Sequence, residues 1–119
     1  MNLQSPHDCH FCGHSKFEVI AENALSYAIR DKYPVSKLHT LILSKRHYAT
    51  AFDLPPEELL SIFELAQRCR TMITEHDPEV QGFNFGANAG LVAGQKIAHV
   101  HFHLIPRRVG DHPPPAAKP

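Results

Sequence analysis

Apolar residues change their spacing several times along the chain, and each spacing predicts a different element. Phe17-Glu18-Val19-Ile20-Ala21 and Leu25-Ser26-Tyr27-Ala28-Ile29 alternate loosely around Glu22-Asn23, which predicts two strands joined by a tight turn. After Pro34, the run Thr40-Leu41-Ile42-Leu43 has the length and β-branched content of a buried strand, and Lys45-Arg46-His47 leads out of it into a polar loop. From Pro55 to about Glu75 the period lengthens. Leu59, Ile62, Phe63, Ala66, Cys69 and Ile73 recur at spacings of three and four, one core-facing helical stripe, and Asp53, Pro55-Pro56 and Glu57-Glu58 suit a helix start. Cys69 lies on the stripe and reads as a small buried hydrophobe.

Beyond Pro78 the alternation returns, with Phe83, Phe85 and Ala87 set against Asn84, Gly86 and Asn88. A glycine- and alanine-rich loop, Ala89 to Gly94, precedes a last strand from about Ile97 to Pro106. Several strands, one long helix and no regular β-α alternation predict an α+β fold with a mostly antiparallel sheet. A chain of 119 residues, 43% of them hydrophobic, supports one core. A single domain over residues 1–110 is therefore expected, followed by a proline-rich, loosely held tail at residues 111–119.

Charge narrows the function. Twelve Lys and Arg cancel twelve Asp and Glu, so no broad basic field exists to hold a nucleic-acid backbone, and any phosphate must be met locally. The start, Met1 to Asp8, has no basic stretch followed by a long apolar one, and no membrane-length apolar run occurs anywhere, which predicts a soluble cytoplasmic protein. Ten histidines are the one unusual feature of the composition, and histidine serves proton transfer, metal ligation and nucleophilic attack near neutral pH. Cys9 and Cys12, with two residues between them in C-x-x-C, suit a metal site or a redox pair better than a disulfide framework.

In His99-Val100-His101-Phe102-His103-Leu104-Ile105 polar and apolar residues alternate strictly. A strand would turn all three imidazoles to one face, neighbours roughly 6.7 Å apart, and Val100, Phe102 and Leu104 to the other. His101 and His103 could then touch one phosphate group. An inert strand edge and a zinc site are alternative readings of the triplet. Upstream, Asn88, the Gly90 and Gly94 bends and Gln95 supply the donors and close backbone approach that phosphoryl chemistry needs.

The stretch from Asn88 through Gln95-Lys-Ile-Ala-His99-Val-His101-Phe-His103-Leu-Ile-Pro resembles the signature of the histidine triad (HIT) family, and the likeness extends back through Asp31, Pro34, His39-Thr40-Leu41-Ile42 and Lys45-Arg46-His47. It spans most of residues 9–108. The resemblance implies a five-stranded antiparallel sheet with one long helix and a short helical segment, commonly paired as a homodimer. It also implies a nucleotide hydrolase or transferase that attacks the α-phosphate of nucleoside phosphoramidates or dinucleoside polyphosphates through a nucleotidyl-histidine. By that likeness His101 is the nucleophile, and His103, Gln95 and Asn88 bond the phosphate oxygens and leaving group. Asp31 accepts from the ribose hydroxyls and His39 stands behind the site. Lys96 departs from the family, which often has Ser or Thr there, and replaces a hydroxyl donor with a flexible cation.

Family branches with C-x-x-C imply a structural zinc held by Cys9, Cys12, His47 and His99, a donor set that fits tetrahedral zinc. His7, His10 and His14 are further histidines able to substitute for one of these ligands. A noncatalytic zinc-binding or nucleotide-sensing module is the alternative function.

Overall fold

The computed structural model describes residues 9–12 and 17–111, so His7, His14 and the tail from residue 112 onward lie outside the described residues. Five strands, β1 (Ala21–Glu22), β2 (Ser26–Arg30), β3 (Thr40–Ser44), β4 (Val80–Gly86) and β5 (His101–Arg108), form one sheet in the order β1-β2-β3-β5-β4. Every pairing is antiparallel. Among the described residues one helix, α1 (Pro56–His76), crosses between β3 and β4, and two short 3₁₀ turns occupy Ala51–Asp53 and Leu91–Ala93. The expected α+β class, the five strands, the single long helix and the short helical segment are all present. No helix among the described residues is long and apolar enough to cross a membrane.

Alternation along the strands divides the core in two. Ala28, Ile42, Val100, Phe102 and Leu104 pack on Ile62, Leu65, Ala66, Cys69 and Ile73 of α1. On the opposite face Tyr27, Ile29, Leu41 and Leu43 are covered by Cys9 and Phe11 of the amino-terminal segment. That second layer is thin, and it lies on the same face as the triple histidine.

Several elements sit differently from expectation. The helical stripe is rotated: Leu65, Ser61 and Glu58 join Ile62, Ala66, Cys69 and Ile73 in the buried set, while Leu59 and Phe63 are 46% and 48% exposed. A three-four spacing admits either flank, and the sheet position selects one. Asp53 caps the short turn before α1 rather than α1 itself, through Thr50 N donating to its Oδ2 at 3.0 Å, and Pro55 at the helix N-cap offers no side-chain bond. The first hairpin strand is only two residues long, because Asn23 Oδ1 takes the N–H groups of Leu25 and Ser26 and its Nδ2 donates to Ser61 O on α1. The last strand begins at His101, not Ile97, since Val100 N bonds Tyr48 O at 2.7 Å instead of a ladder partner. It continues past Pro106 because the pairing with β3 has already ended at Leu104, so the missing proline N–H removes no bond there.

Candidate active site and metal centre

His101 opens β5 half-buried, and its Nδ1 lies 2.8 Å from His99 O. A carbonyl only accepts, so Nδ1 carries the hydrogen, and in the uncharged ring the lone pair is on Nε2. The Phe11 ring meets His101 edge-on with centroids 5.2 Å apart, and the His103 ring stands 5.3 Å away on the other side. His101 is thus oriented by backbone and packed between two rings.

His103 acquires its tautomer through a relay. Val35 N donates to His39 Nδ1 at 3.0 Å, so the His39 hydrogen sits on Nε2. That nitrogen is 2.9 Å from His103 Nδ1, which must accept, leaving the His103 hydrogen on the outward Nε2. Burial lowers the pKa of both rings and keeps them neutral, as the relay requires. For His103 the neighbouring His101 and His39 add to this, while the Asp31 carboxylate opposes it. Asp31 Oδ2 lies 3.4 Å from His39 Nε2 and 3.9 Å from His103 Nδ1, and its Oδ1 accepts from Tyr33 N at 2.8 Å.

The donor atoms of Asp31, His39 and His103 lie within 4.8 Å of one another, a spacing that would suit a metal ion. The relay argues against one. A ligating nitrogen needs its lone pair, and His39 Nε2 holds a hydrogen as long as Val35 N–H occupies Nδ1.

A second cluster has the opposite chemistry. Cys9 Sγ is 3.1 Å from His99 Nδ1, Cys12 Sγ is 3.1 Å from His47 Nδ1 and 3.5 Å from His99 Nδ1, and all four donor atoms fall within 4.8 Å. A tetrahedron with metal bonds of about 2.3 Å to sulfur and 2.0–2.1 Å to nitrogen has sulfur–nitrogen edges of ~3.5 Å, close to these spacings. His99 is fully buried, and its Nε2 donates to Ser44 O at 2.8 Å, which leaves the Nδ1 lone pair facing the sulfurs. Burial, more than any charge, pulls the His99 pKa down to about 4, so the ring is neutral and able to ligate. His10 meets Phe11 at a tilt and Phe17 edge-on and is not a member of this cluster.

The loop before β5 is tied from within. Gln95 is buried; its Nε2 donates to Ala49 O at 2.6 Å and Ile97 O at 2.9 Å, and its Oε1 accepts from Gly90 N at 2.8 Å. Both amide protons are therefore engaged by backbone, and in this geometry Gln95 holds the loop against the 49–50 turn. Asn88 is exposed, with its amide resting on Gly94, where φ is 98° and an added Cβ would stand 3.2 Å from Asn88 Nδ2. Lys96 is exposed. His103, His39, Asn88, Gly86, Asn84 and Val35 line an open groove of about 470 Å³.

Two residues that pattern alone did not single out are Tyr48, whose carbonyl holds Val100 between the two functional histidines, and Glu58, fully buried under the Tyr48 hydroxyl at 3.3 Å. Glu58 reads from sequence as an ordinary helix-start carboxylate. A buried acid there is visible only once α1 is placed.

A HIT domain model matches residues 13–110. The chain is 32% identical over 113 residues to an adenosine 5'-monophosphoramidase of Candida albicans, covering 89% of this chain and 74% of that protein. It is 35% identical over 94 residues to a bis(5'-adenosyl)-triphosphatase of Dictyostelium discoideum, covering 79% and 62% of the two chains. Its fold superposes with a TM-score of 0.80 on a zinc-bound histidine triad family protein from Mycobacterium smegmatis, at 31% identity over 90% of this chain and 80% of that one.

Proposed function

The chain belongs to the HIT domain family, and from that premise we propose that it is a nucleotide hydrolase acting at the α-phosphate of phosphoramidates or dinucleoside polyphosphates through His101. The observation that carries this reading is the His101 Nδ1 to His99 O bond at 2.8 Å, which places the lone pair of the uncharged ring on Nε2.

In the first step the Nε2 lone pair forms a bond to phosphorus, and the bond from phosphorus to the leaving group breaks with its electron pair going to that group, an amine leaving group taking up a proton from solvent as it departs. The nucleotidylated ring is then a cation whose Nδ1–H still meets the His99 carbonyl, so the backbone dipole stabilises charge where it develops. Water next attacks phosphorus while the bond from phosphorus to Nε2 breaks with its electron pair returning to the ring; the proton that water loses goes to solvent, and His101 regains its starting form. His103 Nε2–H is the donor to a phosphate oxygen, with His39 holding its tautomer. Asn88 is the further donor from the loop. Gln95 acts by shaping that loop, and on nucleoside binding its amide can exchange a carbonyl for the phosphate. Asp31 Oδ2 accepts from ribose hydroxyls in place of its present neighbours.

A zinc ion held by Cys9, Cys12, His47 and His99 would cross-link the amino-terminal segment to the strand that carries the nucleophile. It stands behind the reaction. The chain as a single domain over residues 1–110, in the cytoplasm, completes the reading.

Homodimerisation is supported by β4, an edge strand, and by the exposed apolar side chains Leu59, Leu60, Phe63 and Phe85 beside it. Light scattering on the eluting protein should give twice the chain mass, and Phe85→Lys should halve it. A monomer in both would refute the pairing.

Mass spectrometry of enzyme quenched during turnover of an adenosine phosphoramidate tests the mechanism. A nucleotidyl adduct on the peptide bearing His101 is the expected result, and its consistent absence under conditions of active turnover, with rapid quenching at neutral to alkaline pH, would overturn it.

A further inference from the structure

Alternate residues of β5 place His101, His103, Ile105 and Arg107 on one face of the sheet. The register sets Gly86 beside His103, Asn84 beside Ile105 and Gly82 beside Arg107. Neither glycine has any heavy atom within 4 Å of where a Cβ would stand, so this flank of the row is open. On the other flank lie β3 and β2, with Asp31 and the apolar layer under Phe11. The row of histidines is therefore a divide between two differently furnished sides.

Arg107 stands at the end of the open side. Its Nε donates to Asn84 Oδ1 at 2.8 Å, and no carboxylate pairs with it among the described residues. Arg108 next to it is the opposite case, spent on Asp77 and on the Lys37 carbonyl. One arginine is structural, and the other is anchored by a neutral amide, with its terminal N–H groups uncommitted among the described residues. The positive field of Arg107 reaches the catalytic groove, where it disfavours the charged form of His39. At ~3.3 Å per residue, Arg107 Cα is roughly 13 Å from His103 Cα, a gap that an extended arginine and a short phosphate chain bridge together.

We infer that Arg107, held by Asn84, is the subsite for the phosphate chain of an anionic leaving group, so that the preferred substrates join the attacked phosphorus to further phosphates rather than to an amine. The inference rests on His101 as nucleophile and on the nucleoside lying toward Asp31. The nucleoside then occupies the β2–β3 flank and the leaving chain runs along the β4 flank. As the bond from phosphorus to the bridging oxygen breaks, the departing phosphate keeps the electron pair and gains negative charge, which a guanidinium stabilises by paired N–H bonds.

The test compares diadenosine tetraphosphate with adenosine 5'-phosphoramidate in the full chain, Arg107→Gln and Arg107→Lys. In Arg107→Gln, kcat/KM for the tetraphosphate should fall about 30-fold and that for the phosphoramidate less than about 3-fold, shifting their ratio at least ~10-fold. Arg107→Lys should recover part of the shift, since it keeps charge without the fork. In parallel, inorganic tripolyphosphate and AMP are titrated into His101→Ala with and without Arg107→Gln; tripolyphosphate should weaken about 10-fold and AMP should not. Equal effects on both substrates, or an unaffected tetraphosphate rate, would overturn the subsite. If the intact chain turned over neither substrate, the hydrolase reading would fail, and the tripolyphosphate titration would then decide the subsite alone. Arg107-dependent binding upholds it, and Arg107-independent binding refutes it.

Discussion

His101→Ala is expected to lower the rate of AMP release from adenosine phosphoramidates or diadenosine polyphosphates by at least ~10⁴-fold, while leaving the fold and nucleotide binding in place. Removing a covalent nucleophile deletes a whole two-step route, equivalent to more than about 5 kcal/mol of barrier. Stability should change little, because the ring is half-buried and its one hydrogen bond goes to a backbone carbonyl. His103→Ala is the informative contrast. Deleting one phosphate donor typically costs on the order of 100-fold, so it should retain activity that His101→Ala lacks. Steady-state rates with matched melting curves make the comparison, and equal turnover by His101→Ala and the intact chain would end the covalent mechanism. A larger loss in His103→Ala would reverse the two roles.

Removing the metal centre should have the other large effect, on stability first. Zinc per chain should fall to near zero in Cys9→Ala and stay unchanged in His101→Ala, which separates the four-ligand cluster from the triplet. Structural zinc binding is worth several kcal/mol of folding free energy, so chelation or Cys9→Ala should lower Tm by about 10 °C or more. The metal-free chain should then become acid-sensitive. Unfolded His99 takes a proton near pH 6.5, whereas burial holds the folded ring neutral down to about 4. Between those pH values the unfolded state binds a proton that the folded state refuses, so stability is full above about 6.5, declines as pH falls, and levels off below 4. The loss is on the order of 3 kcal/mol. Because His99 O also orients His101, activity should decline with the metal. Zinc retained in both Cys9→Ala and Cys12→Ala, or a Tm indifferent to chelation, would refute the assignment.

Much of this was legible in the chain because it depends on period and spacing. The two-residue period of His99 to Ile105 commits three imidazoles to one face whatever lies around them, and the three-four period after Pro55 commits one helix. The C-x-x-C pair announces two thiols on one short turn. These are properties of local covalent geometry, and sequence expresses them directly.

What tertiary structure alone decided was which partner each of those groups meets. His99 begins outside the strand because Tyr48 O captures Val100 N, and it faces sulfur because its Nε2 is taken by Ser44 O, 55 residues away. His103 receives its tautomer from His39, whose own proton is set by Val35 N. Gln95 spends its amide on Ala49 and Ile97, and Glu58 disappears beneath Tyr48. Protonation states and hydrogen-bond assignments are contests among groups brought together from distant parts of the chain. No local period encodes them, and they become determinate only when α1 and the amino-terminal segment close over the two faces of the sheet.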